Sequence, residues 1–418
     1  ENYKFAAYGL YFAIKNNKCS KEKLNVALAT WCRKSDTLRK LWQLIPNTDL
    51  SFINNTSISN SKGQIISCLT QLSEDTEIWN NKKNDTNENI EAFCNFCFRV
   101  TDIVFNKRKF DSVDINDAIN DPCEQLSVAI FKIWISGNPS KNSGLTEYWK
   151  TIFVRLLDVK NKNLFYTKFA FGEYLNALHY VDKQWVKDNM YPLFLHWSKS
   201  PRICMILWAG VLSNKIDAQI LYDLKTSFLK LARHISKMKT SIDNYTNIFI
   251  TIALSMSKSY GDKYLSSIIK SFPQGELYRV WTSIRHYFEY QENKIDVWNL
   301  QIKPFYQNIF PKDKCIKTPK LAHEISMFIV ESNELFSDTF KTLKGWLFPS
   351  NRQYDILYCM SSSLPRTAQP MDILEFLSLV LDDSGIYNIG LEKILTNISK
   401  IDPSLQNEKI FSDLMSIC

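Results

Sequence analysis

Apolar side chains recur every three or four residues along most of this chain. Leu224, Phe228, Leu231 and Ile235 show the pattern clearly, with lysines and an arginine at positions between them. This spacing is typical of a helix that buries one stripe and leaves the rest of its surface in water. The sequence shows no sustained alternation of apolar and polar residues, which would indicate half-buried strands. The pattern therefore predicts an all-α fold.

Glycine content and length support the same fold class. The chain has only 11 glycines in 418 residues, and 45% of its residues are hydrophobic. Tight β-turns and phosphate-binding loops both depend on glycine, so folds rich in either are disfavoured. A helical repeat array can continue through a chain of this length as one body. We expect a HEAT-like, irregular solenoid of stacked antiparallel helix pairs.

Two helix starts are marked by a hydroxyl residue followed by proline, at Ser200-Pro201 and Thr318-Pro319. The hydroxyl can cap the helix, and proline suits the first helical position because its φ is fixed and its missing N–H is not needed there. Each start lies downstream of a tryptophan-containing segment that leads into a proline. The unequal spacings predict helical hairpins without a strict repeat.

Cysteine usage and hydropathy predict a cytoplasmic protein. The ten cysteines are spread irregularly, several within apolar stretches, as is typical of reduced, buried thiols rather than a disulfide framework. The longest apolar run, 203–212, is about half of the roughly 20 residues that a membrane span needs. We expect no membrane crossing. The chain begins at Glu1 without signal-peptide features, so we interpret this start as the boundary of a piece of a larger protein.

Motifs for catalysis, cofactors or metals are missing from the sequence. There is no Gly-Lys-Ser/Thr phosphate loop and no Gly-x-Ser-x-Gly elbow. Cys94-x-x-Cys97 has no second ligand pair, and its apolar flanks indicate packing. His323-Glu324 begins like a zinc helix, but Met327 stands where the second histidine is needed. The sequence predicts a chain that is not an enzyme, with no catalytic residue, cofactor or metal, although residues distant in sequence could still meet in space.

Two groups of residues are candidates for partner binding. The first is the aromatic stretch Tyr287, Phe288 and Tyr290, although core packing is the usual role of aromatic rings in a helical array. The second is Lys225, Lys230 and Arg233, within a locally basic region of a chain whose net charge is +8. Because exposed aromatics do not interleave these cations, we expect a protein partner rather than nucleic acid. The sequence leaves open whether the chain also forms a homo-oligomer.

The segment Trp185-x6-Pro192-Leu193-Phe194-x2-Trp197, followed by Trp208-Ala209-Gly210-Val211-Leu212, carries a family resemblance. It resembles the helical region at the C-terminus of large bacterial sirtuin-type anti-phage defence proteins. Leu221-x2-Leu224-Lys225-x2-Phe228-Leu229 continues the likeness. It returns in Leu364-Pro365, Leu374-x2-Leu377, Leu391-x2-Ile394-Leu395, Asp402-Pro403 and Phe411-x2-Leu414. We accordingly divide the chain into an N-terminal helical part, 1–160, and a C-terminal helical-repeat region, 161–418, that resembles this family.

The resemblance implies a regulatory role. In such proteins NAD hydrolysis belongs to an upstream sirtuin-like domain, and the helical region senses a trigger, restrains the enzyme or assembles it. The glycine-rich NAD site is missing here, so no catalytic residue carries over. Three rival hypotheses remain: a general HEAT-like interaction adaptor, a nucleic-acid-binding helical array in which the basic stretches converge on one face, and an enzyme whose site residues are distant in sequence.

Overall fold

The computed structural model describes residues 115–418, apart from 314–315, 350–351, 363, 366, 383–389 and 418, together with ten residues between 70 and 101. In this part of the chain every regular element is a helix and no strand occurs. The predicted all-α class is therefore confirmed for the described residues. The chain divides into two compact units, which we call unit 1 (Glu1–Ser241) and unit 2 (Ile242–Cys418). The division at residue 160, which followed the extent of the resemblance, lies inside unit 1 and stays a prediction.

Between residues 115 and 241, unit 1 contains ten α-helices. They are α1 (Ile115–Ile119), α2 (Pro122–Ser136), α3 (Glu147–Leu157), α4 (Thr167–Glu173), α5 (Leu175–Val181), α6 (Lys183–Asn189), α7 (Tyr191–Leu195), α8 (Pro201–Leu212), α9 (Ala218–Asp223) and α10 (Lys225–Ala232). Helix α4 packs against α2, α3 and, most extensively, α8. Helix α10 packs against α7 and α9.

The proline-marked helix starts are where the sequence predicts them. Helix α8 begins at Pro201 after Ser200, and the corresponding helix in unit 2 begins at Pro319 after Thr318. The Thr318 hydroxyl accepts a hydrogen bond from the Leu321 backbone N–H at 3.2 Å, as a helix cap should. Ser200 makes no such side-chain bond, so proline alone marks that start.

Two glycines allow the close contact between α4 and α8. A Cβ atom on Gly172 would lie 2.2 Å from the Leu207 carbonyl oxygen, and one on Gly210 would lie 2.0 Å from the Phe169 carbonyl oxygen. Both distances are far below any van der Waals contact, so no other residue fits at either position without moving a helix. The glycines therefore bring the backbones of α4 and α8 into direct contact.

The described part of unit 2 contains twelve α-helices and one π-helix. They are α11 (Ile242–Ser255), α12 (Ser257–Tyr260), α13 (Asp262–Ser271), α14 (Tyr278–Glu289), α15 (Lys294–Val297), the π-helix (Trp298–Ile302), α16 (Lys303–Asn308), α17 (Pro319–Glu331), α18 (Phe336–Leu343), α19 (Gln353–Ser362), α20 (Pro370–Val380), α21 (Leu391–Ile401) and α22 (Lys409–Ile417).

Packing in unit 2 joins helices that are not adjacent in sequence. Helix α11 packs against α14, α14 against α17, α17 against α19, and α19 against α21. In the same way α18 packs against α20, and α20 against α22. Two series of helices thus run through the unit, and α17 packs against α18 where the series meet.

The π-helix interrupts one continuous helical segment, 294–308. The Lys303 backbone N–H donates to the Trp298 carbonyl, five residues back rather than four. Pro304 follows directly and has no N–H to donate to the Leu300 carbonyl, which removes one α-helical bond at this point. The wider turn accommodates that loss.

No helix within the described ranges has the length and apolar character needed to cross a membrane. This agrees with the expectation drawn from the short apolar run at 203–212.

Candidate interaction surfaces

The cysteine pair in the Cys-x-x-Cys motif is packed rather than reactive. Cys94 and Cys97 are both free and buried. Burial raises the pKa of the Cys94 thiol to about 12 and raises that of Cys97 well above its usual range. Both thiols therefore keep their protons at neutral pH, which disfavours a role as a nucleophile. The predicted packing role is confirmed.

His323 lies in a polar cluster of unit 2 that does not form a metal site. The side chain is buried on α17, and its Nε2 atom is 3.7 Å from an Asp355 carboxylate oxygen on α19. Burial lowers the pKa of His323, so the ring is neutral near pH 7. Among the described residues, no three His, Cys, Asp or Glu side chains are placed to hold a metal ion together.

Close by, Arg285 of α14 connects two glutamates of α17. Its Nη1 donates to Glu324 Oε2 at 2.6 Å and its Nε to Glu331 Oε2 at 2.9 Å, while Nη2 pairs with Glu331 Oε1. Such charge-assisted, partly buried bonds fix the geometry of two packed helices. Periodicity along the sequence gives no sign of this cluster, because the two glutamates are 39 and 46 residues from Arg285 along the chain.

The structure separates the three predicted aromatic candidates. Phe288 is buried and packs edge-to-face against Phe328 at 5.2 Å. Tyr287 is half-buried and donates from its hydroxyl to Gln301 Oε1 at 2.9 Å, which ties α14 to the π-helix. Tyr290, in contrast, is 81% exposed. Phe288 is therefore a core residue of unit 2 rather than an exposed ring, and of the three candidates only Tyr290 presents most of its surface to a partner.

Further exposed apolar side chains lie close to Tyr290 in sequence. Ile295 on α15 is 49% exposed, and Leu300 in the π-helix is 72% exposed. The Tyr287–Gln301 hydrogen bond brings the end of α14 beside the helix turn that carries Leu300. We refer to Tyr290, Ile295 and Leu300 as the 290–300 surface.

A second pair of exposed rings lies on α19. Tyr354 and Tyr358 stack on each other with ring centroids 6.0 Å apart, and both remain about half exposed. Their four-residue spacing places them on one face of the helix, opposite the buried Ile356, Leu357 and Met360. Sequence reasoning missed this pair, although the Tyr-x-x-x-Tyr spacing was a usable signal.

The predicted basic candidates lie on or just after α10 in unit 1. Lys230 and Arg233 are exposed, as is Lys237 beyond them. Within the described part of the chain, no carboxylate pairs with any of these three cations. Lys225 differs, because it is half-buried with its ammonium 4.2 Å from the centroid of the Tyr222 ring. We call Lys230, Arg233 and Lys237 the α10 basic strip.

The strip is held by a hydrogen-bonded core beneath it. The Ser227 hydroxyl of α10 accepts bonds from the indole N–H groups of Trp197 and Trp208, both at 2.9 Å, and donates to the Phe194 carbonyl at 2.6 Å. The Trp197 ring also stacks on His234 at 5.0 Å. These contacts connect α7, α8 and α10 around one fully bonded hydroxyl.

Comparisons with known protein families, with curated proteins and with solved structures found no match to this chain. At this point the fold defines the class of protein: an all-helical chain, in its described part, that presents exposed apolar and cationic surfaces on two compact units.

Proposed function

We propose that this chain is a non-catalytic helical scaffold that senses a trigger protein and regulates or assembles an attached effector domain, a sirtuin-like NADase, in bacterial anti-phage defence. It acts in the cytoplasm through protein contacts. In mechanism, the trigger binds one arrangement of the helices better than another and shifts the population toward it.

The resemblance to the helical region of sirtuin-type defence proteins supports the proposal. Four of the aromatic residues that carry the resemblance meet in unit 1. Trp197 and Trp208 both donate to Ser227, and Trp208 packs against Phe194 and Phe228. These residues stabilise the packing of α7, α8 and α10. The likeness therefore concerns a scaffold rather than a chemical site.

The packing of unit 2 supports the helical-repeat part of the proposal. Each of the two series, α17–α19–α21 and α18–α20–α22, adds a helix against the previous member of its own series. Stacked helix pairs produce two such series, because the first helices of successive pairs pack on one another and so do the second helices. A repeat array uses its extended surface to bind other proteins.

The 290–300 surface is the observation that carries the proposal. Tyr290 and Leu300 leave most of their side chains in water, although the neighbouring Trp298 and Phe288 are buried. Tyr290, Ile295 and Leu300 lie within eleven residues of the chain, and large apolar residues left exposed in this way mark protein contacts, among which tyrosine is frequent. The π-helix adds to this interpretation because such distortions are frequent at functional sites.

The test is a double substitution, Tyr290→Ala with Leu300→Ala, in the full-length gene product. We expect loss of protection in phage plating and loss of NAD consumption during infection, with an unchanged unfolding temperature of the protein. The physical reason is that both side chains are exposed, so their removal weakens a partner contact without opening the core.

The matched control is Tyr180→Ala with Val154→Ala, which removes two exposed apolar side chains from unit 1. It should protect like the wild type. Calorimetry of the purified chain against phage proteins that activate the effector completes the test. Unchanged protection by the Tyr290/Leu300 variant, together with no binding of any activating protein, would refute the sensing role and favour the general adaptor.

A further inference from the structure

The α10 basic strip has three properties that together point to an anionic ligand. Lys230, Arg233 and Lys237 are exposed, they lie within eight residues of one another on the last turn of α10 and the short 3-10 helix that follows it, and no described carboxylate neutralises them. By comparison, nearby Lys187 lies 3.8 Å from Asp223, and Lys150 lies 2.8 Å from Glu147. The strip is therefore a local concentration of positive charge rather than one half of an ion-pair network.

The local electrostatics agree with this description. His234 lies against Trp197 between the cations of the strip, and its pKa is lowered by burial and by the positive charges of Lys237 and Arg233. The positive charges of both residues thus disfavour the protonated form of the His234 ring. Lys230 and Arg233 also lie at the end of α10, where the helix dipole favours cations, but that stabilisation leaves their charges available to a ligand.

The surroundings of the strip favour carboxylates over nucleic acid. The Trp197 ring is almost completely buried, stacked on His234 and hydrogen-bonded to Ser227, so it cannot stack on a base. The Tyr222 ring is in contact with the Lys225 ammonium. Three cations on one short segment also match a few carboxylates of an acidic peptide better than the many phosphates that a duplex presents.

We propose that the α10 basic strip docks an acidic polypeptide segment of the protein partner, with Lys230, Arg233 and Lys237 contacting its carboxylates. This inference deepens the proposed function by giving the chemistry of one partner segment, and it rests on that function. The hydrogen-bonded core at Ser227 holds the strip in place before the segment arrives, which reduces the ordering cost of binding.

The test uses a capped oligoglutamate peptide and the complete chain at low ionic strength. The variant is Lys230→Gln with Arg233→Gln and Lys237→Gln, and the matched control is Lys258→Gln with Lys263→Gln and Lys270→Gln, three exposed lysines of unit 2. We expect the strip variant to bind the peptide about tenfold more weakly, since each exposed ion pair contributes a fraction of a kcal/mol, and the control to bind like the wild type. Added salt should weaken wild-type binding.

A second measurement reports on the site directly. His234 should titrate at a higher pH when the peptide is bound, because the carboxylates offset the positive charges around its ring. NMR of the His234 ring signal follows this change. A strip variant that binds as tightly as the wild type, no peptide binding by the wild type, or tighter binding of short duplex DNA through the same residues would each overturn the proposal. Any of these results would leave the Tyr290/Leu300 test of the proposed function unaffected.

Discussion

At the scale of single residues, the buried titratable groups of unit 1 show how burial and hydrogen bonding decide what a polar side chain does. The Lys168 ammonium is completely buried and donates to the carbonyls of Leu156, Asp158 and Leu164 at 2.7 to 3.0 Å. All three donors are used, and two of the acceptors lie at the end of α3, where backbone carbonyls lack helical partners. Lys168 therefore has a structural role.

Glu124 is a buried carboxyl group whose surroundings disfavour its charged form. It is 4% exposed on α2 and close to Glu173 at the end of α4. Burial, and then the negative charges of Glu173 and Asp121, raise the pKa of Glu124 to about 9. Burial raises the pKa of Glu173 as well, and the Ser213 hydroxyl, which donates to Glu173 Oε1 at 3.2 Å, opposes that rise in part.

We expect this pair to make the protein less stable at alkaline pH. The pKa of Glu124 is near the ordinary glutamate value of 4.5 when unfolded and about 9 when folded, so folding favours the protonated form. Its contribution is fully present below the unfolded pKa and is lost as pH rises from about 5 to 9. Glu124→Gln should therefore raise the free energy of unfolding by about 1–3 kcal/mol at pH 8.5 and change it little at pH 5.

Urea unfolding of the full chain at several pH values measures this difference. Glu289→Gln is the matched control, because Glu289 is exposed on α14. The control should follow the wild type at every pH. An equal effect of Glu124→Gln at pH 5 and 8.5 would show that the carboxyl does not hold its proton in the folded state.

At the scale of elements, the crossing of α4 and α8 depends on Gly172 and Gly210. Glycine inside a helix is less favourable than alanine by about 1 kcal/mol, which must be offset by what the crossing provides. In unit 1 these helices make the most extensive of the described helix–helix contacts. Dense packing between the two closely spaced backbones offsets this cost in helix propensity.

Gly172→Ala or Gly210→Ala should each destabilise the protein by about 2–3 kcal/mol, despite the better helix propensity of alanine. The added methyl group has no room, since backbone atoms lie within 2.2 Å of its position at either site. Chemical denaturation followed by circular dichroism gives the change.

Gly275→Ala is the matched control for this prediction, because nothing lies within 4 Å of a Cβ atom at that position. We expect the control to change stability by less than about 0.5 kcal/mol. If Gly172→Ala matched the control, the helices would have to be further apart than described here.

Element boundaries also show where sequence patterns stop being reliable. The stripe Leu224, Phe228, Leu231 and Ile235 is buried as predicted, but α10 covers only 225–232, and Ile235 lies in a separate short 3-10 turn. The same apolar spacing suits a helix and a helix followed by a tight turn. The pattern therefore determines which side chains are buried more firmly than where the helix ends.

At the scale of the whole molecule, the two compact units each have a core of their own. In unit 2 the buried rings of Trp281, Trp298 and Phe328 meet with centroid distances between 5.4 and 5.8 Å. Lys303 and the Trp298 indole both donate to Asp338, which links the π-helix segment to α18 inside the same unit. A unit of 177 residues with such a core is large enough to fold alone.

We expect residues 242–418 to fold cooperatively as an isolated fragment. A shorter fragment, 262–418, is the control, because it lacks α11, which packs against α14 and the π-helix. Thermal unfolding should show one transition for the longer fragment and a lower midpoint or none for the shorter one. A longer fragment without a cooperative transition or near-ultraviolet circular dichroism would contradict the division into units.

The sequence by itself determined the helical class, the proline-marked helix starts and the packed role of Cys94 and Cys97. These follow from spacing and composition, which act locally along the chain. Only the tertiary structure decided that Phe288 is buried while Tyr290 is exposed, that Gly172 meets Gly210, and that Arg285 joins α14 to α17. The physical reason is that burial and ion pairing depend on residues brought together from distant parts of the chain. The spacing of apolar residues along the sequence does not specify which helices become neighbours.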